Sequence, residues 1–179
     1  MIIKIPHDRI AVLIGHKGST KKLIEEKSTA RLEIDSNEGI VEIIEPKDPV
    51  KGLRASEVIH AIARGFSPEK AIRLFDDDLL IYDIIDLSGI ARTEKDLKRI
   101  KGRIIGRNGK TRSIFENLTN VLISVYGKTV SLIGHPEQIA VARAGIDMLL
   151  KGSPHAPVYK FLEKKRQELK LKEFNKFKK

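Results

Sequence analysis

Two short stretches of this chain carry residue types that could do chemistry on a phosphate. Leu13-Ile14-Gly15-His16-Lys17-Gly18 and Ile104-Ile105-Gly106-Arg107-Asn108-Gly109 each place two glycines around two polar residues, directly after two aliphatics. A glycine has no Cβ, so the backbone beside it can turn sharply and approach a ligand closely. Where such a turn opens a helix, the unpaired N–H groups and the helix dipole favour an anion. Lys17 and Lys21 beside the first turn, and Arg103, Arg107, Lys110 and Arg112 beside the second, would add positive charge. Ile104 and Ile105, with Ile123 further on, could floor an apolar groove next to the turn.

The two stretches are 91 positions apart, and the match does not stop at them. At the same offset Thr20 meets Thr111 and Glu25 meets Glu116, while Leu23, Ile24, Leu32 and Ile34 meet Ile114, Phe115, Ile123 and Val125. Apolar positions held in phase over more than 20 residues indicate one fold used twice. Both units also close alike, with Gly65-Phe66-Ser67-Pro68 and Gly152-Ser153-Pro154 each leading into a helix-like segment.

The elements that must position the loops follow from local signals. Ile2–Pro6 and Ile81–Asp86 are β-rich runs. Ile10, Leu13 and Ile14 lie at helical spacing and predict a helix that the glycine pair stops. Ser19 or Thr20 can open the next helix, through Lys27. Arg31–Asp35 and Ile40–Glu45 alternate as a hairpin about Asn37-Glu38-Gly39, followed by a helix from Val50 to Arg64. The second unit repeats the order, with helices at Glu94–Ile105, through Asn117, and at Pro136–Leu150, and strands at Val121–Tyr126 and Thr129–Ile133. The expected order is β-α-α-β-β-α, twice. Residues 67–80 are expected as a linking helix and 153–179 as a basic helix or tail, leaving 1–66 and 81–152 as the repeated domains.

A G-x-x-G turn set twice between the two helices of a β-α-α-β-β-α pattern resembles the type I KH domain, whose loop clamps about four nucleotides of single-stranded RNA. The resemblance implies an α+β fold with two tandem three-stranded antiparallel sheets packed on helices. It also implies contact with RNA through Gly15, His16, Lys17, Gly18 and Lys21 in the first unit. In the second it implies contact through Arg103, Ile104, Ile105, Gly106, Arg107, Asn108, Gly109, Lys110 and Arg112. The stretch at 102–112, with the segments through residue 134, is similar to the second KH domain of the archaeal and eukaryotic two-KH pre-ribosomal RNA processing factors. Membership implies binding near the 3′ end of small-subunit ribosomal RNA, beside a PIN-domain endonuclease and other assembly proteins. A basic residue is usual at the second variable position of a KH loop. Lys17 fits, whereas the second loop has Asn108 there, with charge at Arg107 and Lys110 instead.

Charge supports the second unit as the main RNA reader. The chain carries +10 overall. Residues 1–80 hold 13 basic and 14 acidic side chains, residues 81–157 hold 12 and 7, and residues 158–179 hold 9 and 3. The acidic first unit leaves a second reading open, a scaffold that docks another protein there. The absence of cysteine excludes disulfides and thiolate metal sites. Five scattered histidines form no metal-ligand spacing, and no cofactor is expected. Gly109-Lys110-Thr111 has a nucleotide-binding ending, but that motif needs glycine where Ile104 stands. No catalytic constellation appears, so the expectation is a non-enzymatic, cytoplasmic RNA-binding protein with no membrane span.

Overall fold

The computed structural model describes residues 1–178, which divide into two compact units, Met1–Tyr82 and the residues from Asp83 onward. The first unit runs β1 (Ile2–Lys4), α1 (His7–Ile14), α2 (Ser19–Ser28), β2 (Arg31–Asp35), β3 (Ile40–Ile44) and α3 (Pro49–Ala63). Two one-turn helices follow, α4 (Pro68–Ala71) and α5 (Arg73–Asp76). The second has β4 (Ile81–Asp86), α6 (Glu94–Ile105), α7 (Lys110–Thr119), β5 (Leu122–Tyr126), β6 (Thr129–Gly134), α8 (Pro136–Leu150) and α9 (His155–Lys176). The division falls inside β4, after Tyr82.

Each unit has a three-stranded sheet with its last strand in the middle, in the orders β1-β3-β2 and β4-β6-β5. In the first, β3 pairs antiparallel with both neighbours, Ile3 opposite Val41 and Leu32 opposite Ile43. In the second, Ile123 stands opposite Leu132. Alternation sends Ile3, Leu32, Val41 and Ile43 to one face, where they meet Leu13, Ile24, Val58, Ile59 and Ile62 in a fully buried core. Ile104, Phe115, Ile123, Leu132, Ile139 and Ile146 are buried in the second unit. Each such side chain contributes about 1.5–3 kcal/mol by leaving water.

The repeat extends to side-chain hydrogen bonds. Glu25 Oε1 accepts from Leu32 N at 2.8 Å, and Glu116 Oε1 accepts from Ile123 N at 2.9 Å. Each carboxylate ties the second helix of its unit to the start of the next strand. Ser28 and Thr119 donate to the carbonyls of Ile24 and Phe115 at the helix ends. Thr29 and Asn120 then take left-handed conformations that turn the chain into the strand.

One departure from the sequence reading lies at 67–80. A single linking helix was expected, but α4 and α5 are separate turns. The Asp77 carboxylate accepts from Leu79 N at 2.9 Å, a local bond that competes with helix continuation. Arg54, on α3, donates to the carbonyls of Asp78 and Leu80 at 2.6 and 2.7 Å and holds this turn within the first unit. No helix among the described residues is long and apolar enough to cross a membrane.

Candidate nucleic-acid interface

Both glycine loops adopt nearly the same conformation. Gly15 and Gly106 sit at φ 74 with ψ 174 and 175, a backbone region open almost only to glycine. Lys17 and Asn108 are left-handed, at φ 51, ψ 32 and φ 53, ψ 30. Gly18 and Gly109 are left-handed at φ 75 and 74. Gly18 N donates back to Gly15 O, and Gly109 N to Gly106 O, each at 3.2 Å. α2 and α7 start directly from these glycines with no side-chain cap. Ser19 N and Lys110 N donate back to His16 O and Arg107 O, and the N–H groups that follow them in the first turn have no side-chain cap.

The two glycines of each loop do different work. A Cβ on Gly106 would lie 2.3 Å from Thr111 Oγ1 and 2.7 Å from Thr111 N. One on Gly15 would lie 2.4 Å from Thr20 Oγ1. The first glycine thus lets the loop close onto the next helix. On Gly18 a Cβ would meet nothing within 4 Å, and on Gly109 only the end of the Arg112 side chain at 3.4 Å. The second glycine faces open space, where a phosphate could approach.

The conformation also accounts for Asn108. A left-handed position favours asparagine over most side chains, since its amide can bond locally there. The second loop therefore relaxes its backbone at that site, and its charge moves to the neighbours. His16, Lys17, Arg107, Asn108 and Lys110 are exposed, and Lys21, Ile105 and Arg112 are half-buried. These residues gather at each loop.

Two expected contact residues are placed elsewhere. Ile104 is 2% exposed in the core of the second unit, so it supports the loop from beneath and cannot touch a base. Ile105, one residue on, turns toward the surface. The Arg103 guanidinium donates to Leu149 O and Ser153 O at the end of α8. It closes that helix end and is not directed to a phosphate. Arg9 does the same in the first unit, donating to Ile62 O and Phe66 O at 2.8 Å.

Sequence reasoning missed the part played by α9. His155 Nε2 donates to Arg103 O at 2.9 Å, and the Tyr159 hydroxyl bonds Thr111 Oγ1 at 2.9 Å. The first turn of α9 is thereby fastened to both helices that flank the second loop. Basic residues continue along α6 at Lys95, Lys98 and Arg99. The bond from Arg99, with the backbone and charge of Arg92, holds the Asp96 carboxyl below the usual aspartate range. Gly109-Lys110-Thr111 follows a helix rather than a strand, and the Thr111 hydroxyl is buried against Tyr159.

A G-x-x-G turn whose second glycine faces open space, between two helices on a three-stranded antiparallel sheet, defines a type I KH domain, and this chain has two. A family model described as the eukaryotic-type KH domain, type I, matches residues 81–167, and one described as the KH domain matches residues 1–56. A KH domain-containing protein of Methanocaldococcus jannaschii is 43% identical over 99% of this chain and 79% of its own length. The chain belongs to the two-KH family that includes that protein, Dim2p and the pre-rRNA-processing proteins called pno1.

Among solved structures, Dim2p from Pyrococcus horikoshii is 47% identical over 92% of this chain and 98% of its own, with a TM-score of 0.85. The complex of a/eIF2alpha, aDim2p and rRNA from that organism contains a chain 46% identical over 94% of each chain, at a TM-score of 0.87. Pno1 of Schizosaccharomyces pombe, a pre-rRNA-processing protein, is 31% identical over 63% of this chain and 47% of its own length. The chain thus spans about half the length of such eukaryotic relatives.

Proposed function

We propose that this protein binds single-stranded RNA near the 3′ end of small-subunit ribosomal RNA and serves ribosome assembly without catalysing a reaction itself. The observation that carries this reading is the second loop. Its uncapped helix start, open Gly109 face and exposed Arg107 and Lys110 form an anion cradle beside Ile105. The first loop repeats the geometry in a unit with a slight negative charge, so its affinity for RNA is lower. The relatives named for pre-rRNA processing, and the relative held in a complex with rRNA, support the same reading. A PIN-domain endonuclease acting on the bound 3′ end, in the cytoplasm, is the partner this role implies.

The test is crosslinking of the protein to RNA in cell extract, followed by sequencing of the attached fragments. Fragments concentrated near the 3′ end of small-subunit ribosomal RNA are expected. Fragments spread in proportion to RNA abundance would overturn the assignment.

A further inference from the structure

The exposed side of α9 is not used by the loop. Val158 and Leu162 are fully buried, and Phe161, Lys165 and Leu169 on the same side are half-buried. The opposite side carries Lys160, Lys164, Gln167, Leu171 and Phe174 at alternating steps of four and three residues, one line along a helix, and Lys178 follows in the turn beyond its end. Lys170 and Phe177 flank that line.

Lys160, Lys164, Lys170 and Lys178 are exposed and make no ion pair among the described residues. Phe174 and Phe177 are 58% and 91% exposed. Lys178 Nζ lies 4.7 Å from the Phe174 ring centroid, so one face of that ring holds a cation. Exposed aromatics among unpaired lysines match what a single strand asks for, a platform for bases and charge for its backbone.

We infer that this side of α9 is a second RNA-contacting surface, which takes the single strand flanking the segment held in the second loop. Lys160, Lys164, Lys170 and Lys178 meet phosphates, and Phe174 and Phe177 offer stacking faces. The inference rests on the RNA-binding role proposed above. Its placement comes from the Tyr159–Thr111 and His155–Arg103 bonds, which start α9 at the loop. From Tyr159 to Phe174 the helix advances about 22 Å, well past the reach of a loop that clamps about four nucleotides.

Other occupants fit less well. Residues 155–178 carry eight basic and three acidic side chains, so a second copy laid along this helix would meet like charge. A bilayer would want a continuous apolar side, and here the apolar side is already packed within the unit, with only Leu171, Phe174 and Phe177 left outside.

The test compares the full-length protein with two variants, using a short RNA of about six nucleotides and one of about twenty containing the same core sequence. One variant carries Lys160→Gln, Lys164→Gln, Lys170→Gln and Lys178→Gln; the other carries Phe174→Ser and Phe177→Ser. Both change exposed residues, and thermal melting checks that they remain folded. Short-RNA affinity is expected to stay within about twofold, whereas long-RNA affinity falls roughly tenfold or more in each variant. In the lysine variant the long-RNA salt slope should drop by up to about 3, at about 0.7 per phosphate released. Equal losses on both RNAs, or no loss on the long one, would overturn the inference and leave the loop assignment standing; unchanged binding would point to a protein partner for this face. If the unmutated protein bound neither RNA, the proposed function itself would fall, and this inference with it.

Discussion

Replacing Gly106 with alanine should unfold this protein far more readily than replacing Gly109, although both glycines belong to one loop. At Gly106 the new Cβ would lie 2.3 Å from Thr111 Oγ1 and 2.7 Å from Thr111 N. The second of these is backbone, so α7 itself would have to shift. The conformation at φ 74, ψ 175 adds strain of about 1–3 kcal/mol, and the overlap adds a similar amount, for a loss of about 2–6 kcal/mol. At Gly109 the only neighbour is the end of the flexible Arg112 side chain, and the conformation is left-handed, at a cost of about 1–2 kcal/mol. Urea denaturation followed by circular dichroism measures both. At about 2–4 °C per kcal/mol, Gly106→Ala should also melt roughly 10 °C lower, and Gly109→Ala only a few degrees lower. Equal destabilisation of the two variants would refute the division of roles between the glycines. So would a Gly109 variant that is less stable than the Gly106 variant.

Gly109→Asp should keep the fold yet weaken binding to a short single-stranded RNA more than Gly18→Asp does; a titration at fixed salt that finds a larger loss at Gly18 would contradict the assignment of the second unit as the main reader. Arg103→Met should cost about 2–4 kcal/mol of stability through two lost charged bonds, with the RNA salt slope unchanged, whereas Arg107→Ala should leave stability alone and lower the slope by about 0.7. A drop in slope for Arg103→Met would return that residue to the RNA surface. Burying the target bases in a perfect duplex should weaken binding strongly, because a KH groove takes unpaired bases; tight duplex binding in a gel-shift assay would count against the loop assignment.

The sequence by itself determined the element order, because hydrophobic phase and glycine placement are local signals and this chain states them twice. The helices near Glu94–Ile105 and at Pro136–Leu150 were readable from periodicity and stop signals. The shared Glu25 and Glu116 stood out as a repeat, and the structure supplies the reason, a carboxylate accepting from the next strand. The loops themselves were legible because few arrangements need two glycines three residues apart between helices.

Tertiary structure decided what depends on residues far apart in the chain. Whether Ile104 or Ile105 faces the core turns on one helical step, which periodicity does not resolve at a helix end. Arg103 looked like part of a basic cluster, and only the return of α8, 46 residues later, shows the carbonyls it serves. The segment 67–80 has helical composition, yet its helical turns stop at Asp76, where the Asp77 turn and the reach of Arg54 across 24 residues take over. Residues 153–179 could be read as helix or tail, since their charge favours neither. Burial of Val158 and Leu162 and the bond from Tyr159 to Thr111 make residues His155–Lys176 a helix, because a long exposed helix is stable when one of its sides is packed.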